Sequence, residues 1–282
     1  MATLRHIAYS VSDLPASHKF FVEAFGMTTM METPRAIYVS DGTMNVALLG
    51  IEGKPIGWDG GDLFYGIHHY GLWVDDVEQT GRRIIAAGGK YVSGEQPEGG
   101  NAFYEIKYSD PWGNVFDITA NGWAGAVQDV EPGFDQGDGR SGGRLRHIAF
   151  SVSNAEAMQK FMEDAFGWTK AGNAGNGVYM TDGTLNIALL SRKGIPLGWE
   201  GEGLFFGIDH IGIWVDDIRK ACKQVEAAGA AYVLGNESDD PNTFYEIKYR
   251  DPLGHLFDLT AGGWKGAVKE VRPIAKTAAA AE

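Results

Sequence analysis

The chain is written twice. LRHIAYSVSD at Leu4 returns as LRHIAFSVSN at Leu145, VSDGTMNVALL at Val39 as MTDGTLNIALL at Met180, and HYGLWVDD at His69 as HIGIWVDD at His210. FYEIKYSDPWGNVFDIT at Phe103 likewise returns as FYEIKYRDPLGHLFDLT at Phe244. Every pair, including Trp58 with Trp199 and Trp123 with Trp264, is offset by 141 residues, so neither half carries an insertion relative to the other between these anchors. A chain of 282 residues so built is constrained to two like domains. Their expected extents are 1–128 and 144–272. The linker between them, 129–143, contains the polar, acidic and Gly-rich GFDQGDGRSGG, and the tail 273–282 is expected to fray.

Periodicity gives the same order of elements twice within each half. His6 to Val11 alternates as a short strand, and Asp13 then caps an apolar-periodic helix that Gly26 ends after Phe25. Ala36 to Val39 and Met44 to Leu49 read as strands around the turn Asp41-Gly42. A second unit opens with a strand at Tyr70 to Val74 and a helix from Asp75-Asp76 to Ala87, stopped at Gly88-Gly89. Strands at 103–108 and 114–119 flank a DP-x-G turn. Each half is therefore two βαβββ-like units, and the fold class is α+β.

Composition excludes several functions. A net charge of −13 and a pI near 5 repel nucleic-acid phosphates and anionic membrane surfaces, so a small molecule is the expected partner. Cys222 is the single cysteine, which leaves no internal disulfide, and it reads as a packed structural thiol. No apolar leader and no run of apolar residues long enough to span a bilayer is present, so a cytoplasmic protein, monomer or homodimer, is expected.

The repeat also sorts the seven histidines. His6 matches His147 and His69 matches His210, whereas His18 faces Gln159, His68 faces Asp209 and His255 faces Asn114. Asp117 and Asp258 are matched carboxylates after the DP-x-G turns. Strand alternation puts His6, Ala8 and Ser10 on one face, His69, Gly71 and Trp73 on one face, and Val115 with Asp117 on another; the opposite faces (Ile7, Tyr9; Tyr70, Leu72; Phe116, Ile118) are apolar and are expected to meet the helices. Two imidazoles and a carboxylate converging from such faces suit Fe(II), and also Mn, Ni, Co or Zn, whereas the structural alternative is a set of satisfied core histidines. Glu105 and Lys107 share a strand face, as do Glu246 and Lys248. They read either as an ion-paired edge or, facing inward beside a cation, as an acid–base pair.

These motifs (HIAYSVSD with its AFGM helix end, HHYGLWVDD with AAGG, and DPWGNVFDIT, each with its copy) resemble the vicinal oxygen chelate superfamily of glyoxalase I, methylmalonyl-CoA epimerase, fosfomycin- and bleomycin-resistance proteins and type I extradiol dioxygenases. The resemblance covers about 4–128 and 145–269. It implies two domains in tandem, each of two βαβββ modules in an open curved sheet around a divalent metal. The implied ligands are His6, His69 and Asp117 in one half and His147, His210 and Asp258 in the other, built within a half or swapped between halves. The glyoxalase fourth ligand falls on Ala47 and Ala188, which cannot bind a metal, while Asn45 and Asn186 share that face and can approach substrate. An extradiol enzyme would carry Tyr where Lys107 and Lys248 stand, and a further His near Pro55 or Pro196.

The reading that follows is a metal-dependent enzyme, Fe(II) favoured, most nearly an extradiol-like dioxygenase acting on a small oxygen-chelating substrate, aromatic ones included, with Lys107 and Lys248 as catalytic candidates. The alternatives are a metal-dependent lyase or isomerase of glyoxalase or epimerase type, and a metal-free drug-binding resistance protein using Trp58, Trp73, Trp199 and Trp214. The symmetric pattern predicts two occupied sites.

Overall fold

The computed structural model describes residues 1–51, 65–99, 102–133, 142–191, 206–240 and 243–274. Trp58, Trp199, Pro55, Pro196 and most of the Gly-rich linker and tail lie outside these residues. The first half runs β1 (Thr3–Ser10), α1 (Leu14–Phe25), β2 (Thr28–Thr33), β3 (Ala36–Ser40) and β4 (Asn45–Leu49). It continues with β5 (Gly66–Trp73), α2 (Val77–Ala86), β6 (Lys90–Ser93), β7 (Ile106–Ser109) and β8 (Val115–Thr119). After β9 (Val130–Pro132), the second half repeats the order: β10 (Arg144–Val152), α3 (Ala155–Phe166), β11 (Thr169–Ala174), β12 (Gly177–Thr181) and β13 (Asn186–Ser191). Its second module is β14 (Gly207–Trp214), α4 (Ile218–Ala227), β15 (Ala231–Leu234), β16 (Ile247–Arg250) and β17 (Leu256–Thr260), and β18 (Val271–Pro273) closes the described chain.

Each half forms one open eight-stranded sheet, ordered β2-β3-β4-β1-β5-β8-β7-β6 and β11-β12-β13-β10-β14-β17-β16-β15. The opening strands of the two modules, β1 and β5, pair antiparallel at the centre. Each is flanked on its other side by the last strand of its own module, in parallel. Two strands per half escape the sequence reading: β2, with TTMMET, and β6, with KYVS, are sheet-edge strands with almost every side chain exposed, so they carry no apolar alternation. The linker also holds a strand, since Val130–Pro132 pairs antiparallel with Val271–Pro273.

The helices form where the caps dictate. Asp13 accepts the Ala16 N–H at 2.9 Å, and Gly26 takes the left-handed conformation (φ 68°) that returns its N–H to Phe21 and Val22 carbonyls. Asp76, Asn154 and Asp217 cap the other three in the same way. The apolar strand faces are buried as expected, but the helices covering them come from both halves. Phe20 and Phe25 of α1 pack on Phe257 of β17 (centroids 5.7 and 5.1 Å), and Phe161 and Phe166 of α3 pack on Phe116 of β8 (6.4 and 5.1 Å). The two sheets therefore share one hydrophobic core. Cys222 packs half-buried at its margin.

Two ion pairs with side chains 1 % exposed or less lock the halves reciprocally. Arg5 donates to Asp182 at 2.9 Å, and Arg146 donates to Asp41 at 2.8 Å. Each carboxylate also accepts the backbone N–H preceding that arginine, Leu4 or Leu145, and two N–H groups of its own turn. The burial cost of these charges is thus offset by a complete set of charge-assisted hydrogen bonds. Among the described residues no helix is long and apolar enough to cross a membrane.

Candidate metal centre

Strand register, rather than local sequence, assembles the site. Asn45 of β4 stands opposite His6 of β1, His6 opposite Gly71 of β5, Gly71 opposite Asp117 of β8, and Asp117 opposite Lys107 of β7. One row of side chains thus crosses five strands on the face away from the core. His69 projects from the same face of β5, two residues before Gly71. The second half repeats the row as Asn186, His147, Gly212, Asp258 and Lys248, with His210 beside it. Each triad is therefore assembled within one sheet and is not swapped between halves.

Glycine is required in the middle of the row. A Cβ on Gly212 would lie 2.6 Å from Trp264 and 2.7 Å from His147, and one on Gly71 would lie 2.5 Å from Trp123 and 2.9 Å from His6. The space is taken by indoles. Trp123 stacks on His6 (4.7 Å, 8°) and Trp264 on His147 (4.8 Å, 7°). Their N–H groups donate to Glu105 and Glu246 at 2.7 and 2.6 Å. These tryptophans and glutamates complete the wall of the site. The only sequence signal for the tryptophans was their exact place in the repeat.

The imidazoles are oriented by hydrogen bonds. Asn45 Nδ2 donates to the Ala124 carbonyl, so its Oδ1 faces His6 Nδ1 at 2.7 Å and must accept a proton from it. Asn186 does the same through Lys265, at 2.6 Å from His147 Nδ1. Both rings are thereby left with a lone pair on Nε2, the form a metal ligand needs. The asparagines act on the histidines, where the sequence suggested an approach to substrate.

In the second half His210 Nε2 lies 3.0 Å from Asp258, and donor atoms of His147, His210 and Asp258 all fall within 4.8 Å of one another. Among the described residues this is the only group of three or more His, Cys, Asp or Glu side chains so placed. Asp258 Oδ1 is buried with no hydrogen-bond partner, a costly vacancy for a carboxylate oxygen and one a cation would fill. Two imidazole nitrogens and one carboxylate oxygen fit a divalent transition metal. In the first half His69 Nε2 lies 3.1 Å from Asp117.

Electrostatics differ between the halves. Burial, with His210 nearby, lowers the His147 pKa to about 3, and burial with His69 lowers His6 to about 4. Burial and Lys107 lower His69 to about 3. Burial also opposes a charge on His210, but Asp258 together with hydrogen bonds to Asp209 and Asp258 outweighs it and raises that pKa to about 8. Burial likewise opposes the Asp258 anion, yet His210 and Lys248 hold it well below the usual carboxylate range. Lys107 reaches both Asp117 oxygens (2.8 and 2.7 Å) and lies 3.6 Å from Glu105, while Lys248 bonds Asp258 Oδ2 and lies 3.5 Å from Glu246. The lysines thus face inward and are ion-paired. Tyr104 and Tyr108 on the opposite face of that segment are buried in the core.

A sheet of paired βαβββ modules with a His–His–Asp cluster on its open face defines a known class. Residues 3–118 and 144–259 each match the Glyoxalase/Bleomycin resistance protein/Dioxygenase superfamily, and the chain belongs to it. The probable chloroplastic lactoylglutathione lyase of Arabidopsis thaliana is 26% identical over 174 residues, covering 57% of this chain and 43% of that protein. Among solved structures, the Mn(II)-bound glyoxalase from Novosphingobium aromaticivorans superposes with a TM-score of 0.68 at 18% identity, covering 95% of this chain and 85% of that one. The 2,3-dioxygenase LapB from Pseudomonas sp. KL28 superposes with a TM-score of 0.66 at 14% identity, covering 93% of each. At such identities these structures establish the fold.

Proposed function

We propose that this chain is a divalent-metal-dependent enzyme of the superfamily whose reaction is an extradiol-like oxidative cleavage of a small substrate with two vicinal oxygens, catechols being the first candidates. The observation that carries this reading is a three-donor set of His147, His210 and Asp258 with no fourth protein ligand among the described residues: the residue on the same face of β13, two along from Asn186, is Ala188. Two histidines and one carboxylate with open positions favour Fe(II). Such an ion would supply Lewis-acid polarisation of the substrate oxygens and a path for electrons from the substrate to dioxygen, so that no external reductant is needed.

The chain's own residues do the rest. Asn186 and the stacked Trp264 fix the His147 ring, and burial by the indole excludes water from that side. Lys248, between Asp258 and Glu246, is placed to exchange a proton with a substrate hydroxyl and pass it to Glu246, whose carboxyl is pushed up by burial and by Asp258. Lys107 and Glu105 repeat the arrangement in the first half.

The same lysine–glutamate pair favours a second reading, a lyase or isomerase that moves a proton at carbon, as the relationship to a probable lactoylglutathione lyase also suggests. Anaerobic reconstitution with Fe(II), followed by oxygen uptake with a panel of catechols and hydroquinones, tests the first. Uptake with ring-opened product supports it. Absence of uptake with solvent deuterium entering a 2-oxoaldehyde-derived thiohemiacetal supports the second, and a chain that takes up no transition metal sinks both in favour of metal-free ligand binding. The acidic chain with one cysteine suits a cytoplasmic monomer or homodimer, which light scattering and fractionation would check.

A further inference from the structure

The repeat keeps both triads, yet the residue beside the fifth-strand histidine differs: His68 in the first half, Asp209 in the second. Asp209 Oδ1 lies 2.8 Å from His210 Nδ1, and Ser151 Oγ holds the other oxygen at 2.8 Å. A carboxylate can only accept at Nδ1, so His210 carries a proton there, and Nε2, 3.0 Å from Asp258, is left as the nitrogen that would give up its proton to a cation. The matching serine, Ser10, donates to the Ile51 carbonyl instead. His69 Nδ1 faces His68 Nδ1 at 2.7 Å, a contact that does not fix the proton on His69 Nδ1, and Asp117, 3.1 Å from His69 Nε2, favours the tautomer with the proton on Nε2, against the site.

The carboxylates and their partners point the same way. Lys107 covers both oxygens of Asp117, whereas Lys248 bonds one oxygen of Asp258 and leaves Oδ1 without a partner. Asp209 puts a carboxylate beside the second site where the first has an imidazole. A dication is drawn to a nearby carboxylate and to an open carboxylate oxygen.

We infer that the two halves are unequal metal sites, that the second half alone holds the ion, and that Asp209 is the positioning residue that decides it, with His68 and Lys107 closing the first-half triad. This rests on the metal-dependent reading above. It departs from the two occupied sites that the repeated ligands predict.

The test is metal stoichiometry of the full chain, read by elemental analysis after anaerobic loading and gel filtration, with Co(II) visible absorption as an independent readout. One ion per chain is expected, retained in His6→Ala and lost in His147→Ala. Asp209→Asn should weaken Co(II) binding by about 10–100-fold, the usual consequence of losing an outer-shell carboxylate. The double variant His68→Asp with Lys107→Met should gain a second ion, its folding checked by circular dichroism. Two ions in the unaltered chain, an ion that follows His6 and not His147, unchanged Co(II) affinity in Asp209→Asn, or a folded double variant with a single ion each overturns the inference alone. No ion in the unaltered chain overturns the functional reading and the inference with it.

Discussion

Trp264 lies flat on His147, 7° from parallel with ring centroids 4.8 Å apart, while its indole N–H donates to Glu246. One side chain thus fixes a candidate ligand and a candidate proton acceptor together. The arrangement depends on Gly212 having no Cβ, since an added methyl would meet the Trp264 ring at 2.6 Å. Gly212→Ala is expected to displace the indole, destabilise the fold by about 1–3 kcal/mol through overpacking, and weaken metal binding. Urea denaturation and Co(II) titration measure the two effects. Unchanged values in both would show that the stack is dispensable.

Asn186 fixes the His147 proton on Nδ1 at 2.6 Å. Asn186→Leu removes that acceptor and frees the ring to place its proton on either nitrogen. The expected loss is about 10–100-fold in metal affinity. Isothermal titration with Mn(II) or Co(II) reads it, with circular dichroism as the control for folding.

The reciprocal ion pairs set stability and not chemistry. Asp182→Ala leaves Arg5 buried and unpaired, with the Leu4 N–H unsatisfied, and should cost about 3–5 kcal/mol in urea unfolding. Asp41→Ala, the mirror change at Arg146, should cost a similar amount. A loss below about 1 kcal/mol in either variant would mean that the shared apolar core joins the halves without them.

In the metal-free protein His210 is raised from 6.5 to about 8, so the folded chain holds its proton more tightly than the unfolded chain. The stability this confers, about 2 kcal/mol, is fully present below pH 6.5 and is lost as pH rises through about 8. His147 and His6, lowered to about 3 and about 4, act in the other direction and weaken the fold as pH falls below 6.5. The urea midpoint of chelator-treated protein should therefore peak near pH 6.5 and fall towards pH 9, with Asp209→Asn flattening the alkaline limb. A midpoint that climbs steadily from pH 6.5 to 9 contradicts this.

Much of the fold was legible because its signals are local. Asp13 with Gly26 marks a helix by capping chemistry alone, and Ile7, Tyr9, Tyr70 and Leu72 mark core faces by alternation. Thr28–Thr33 and Lys90–Ser93 were not legible, because an exposed edge strand is held by backbone pairing and shows no apolar period. Glu105 and Lys107 were readable as sharing a face, but whether that face met solvent or the site depended on how β7 pairs with β8.

By itself the sequence determined two like halves of paired βαβββ modules, the strand faces, and a twice-repeated His–His–Asp inventory. Only the tertiary structure decided that each triad forms within one sheet, that helices of one half cover the sheet of the other, and that His69 and His210 have unlike partners. The physical reason is that alternation has a period of two and states which face a side chain takes. Which residues of different strands fall into one row is set by hydrogen-bonded register between segments distant in the sequence, such as His6 with Gly71 and Gly71 with Asp117.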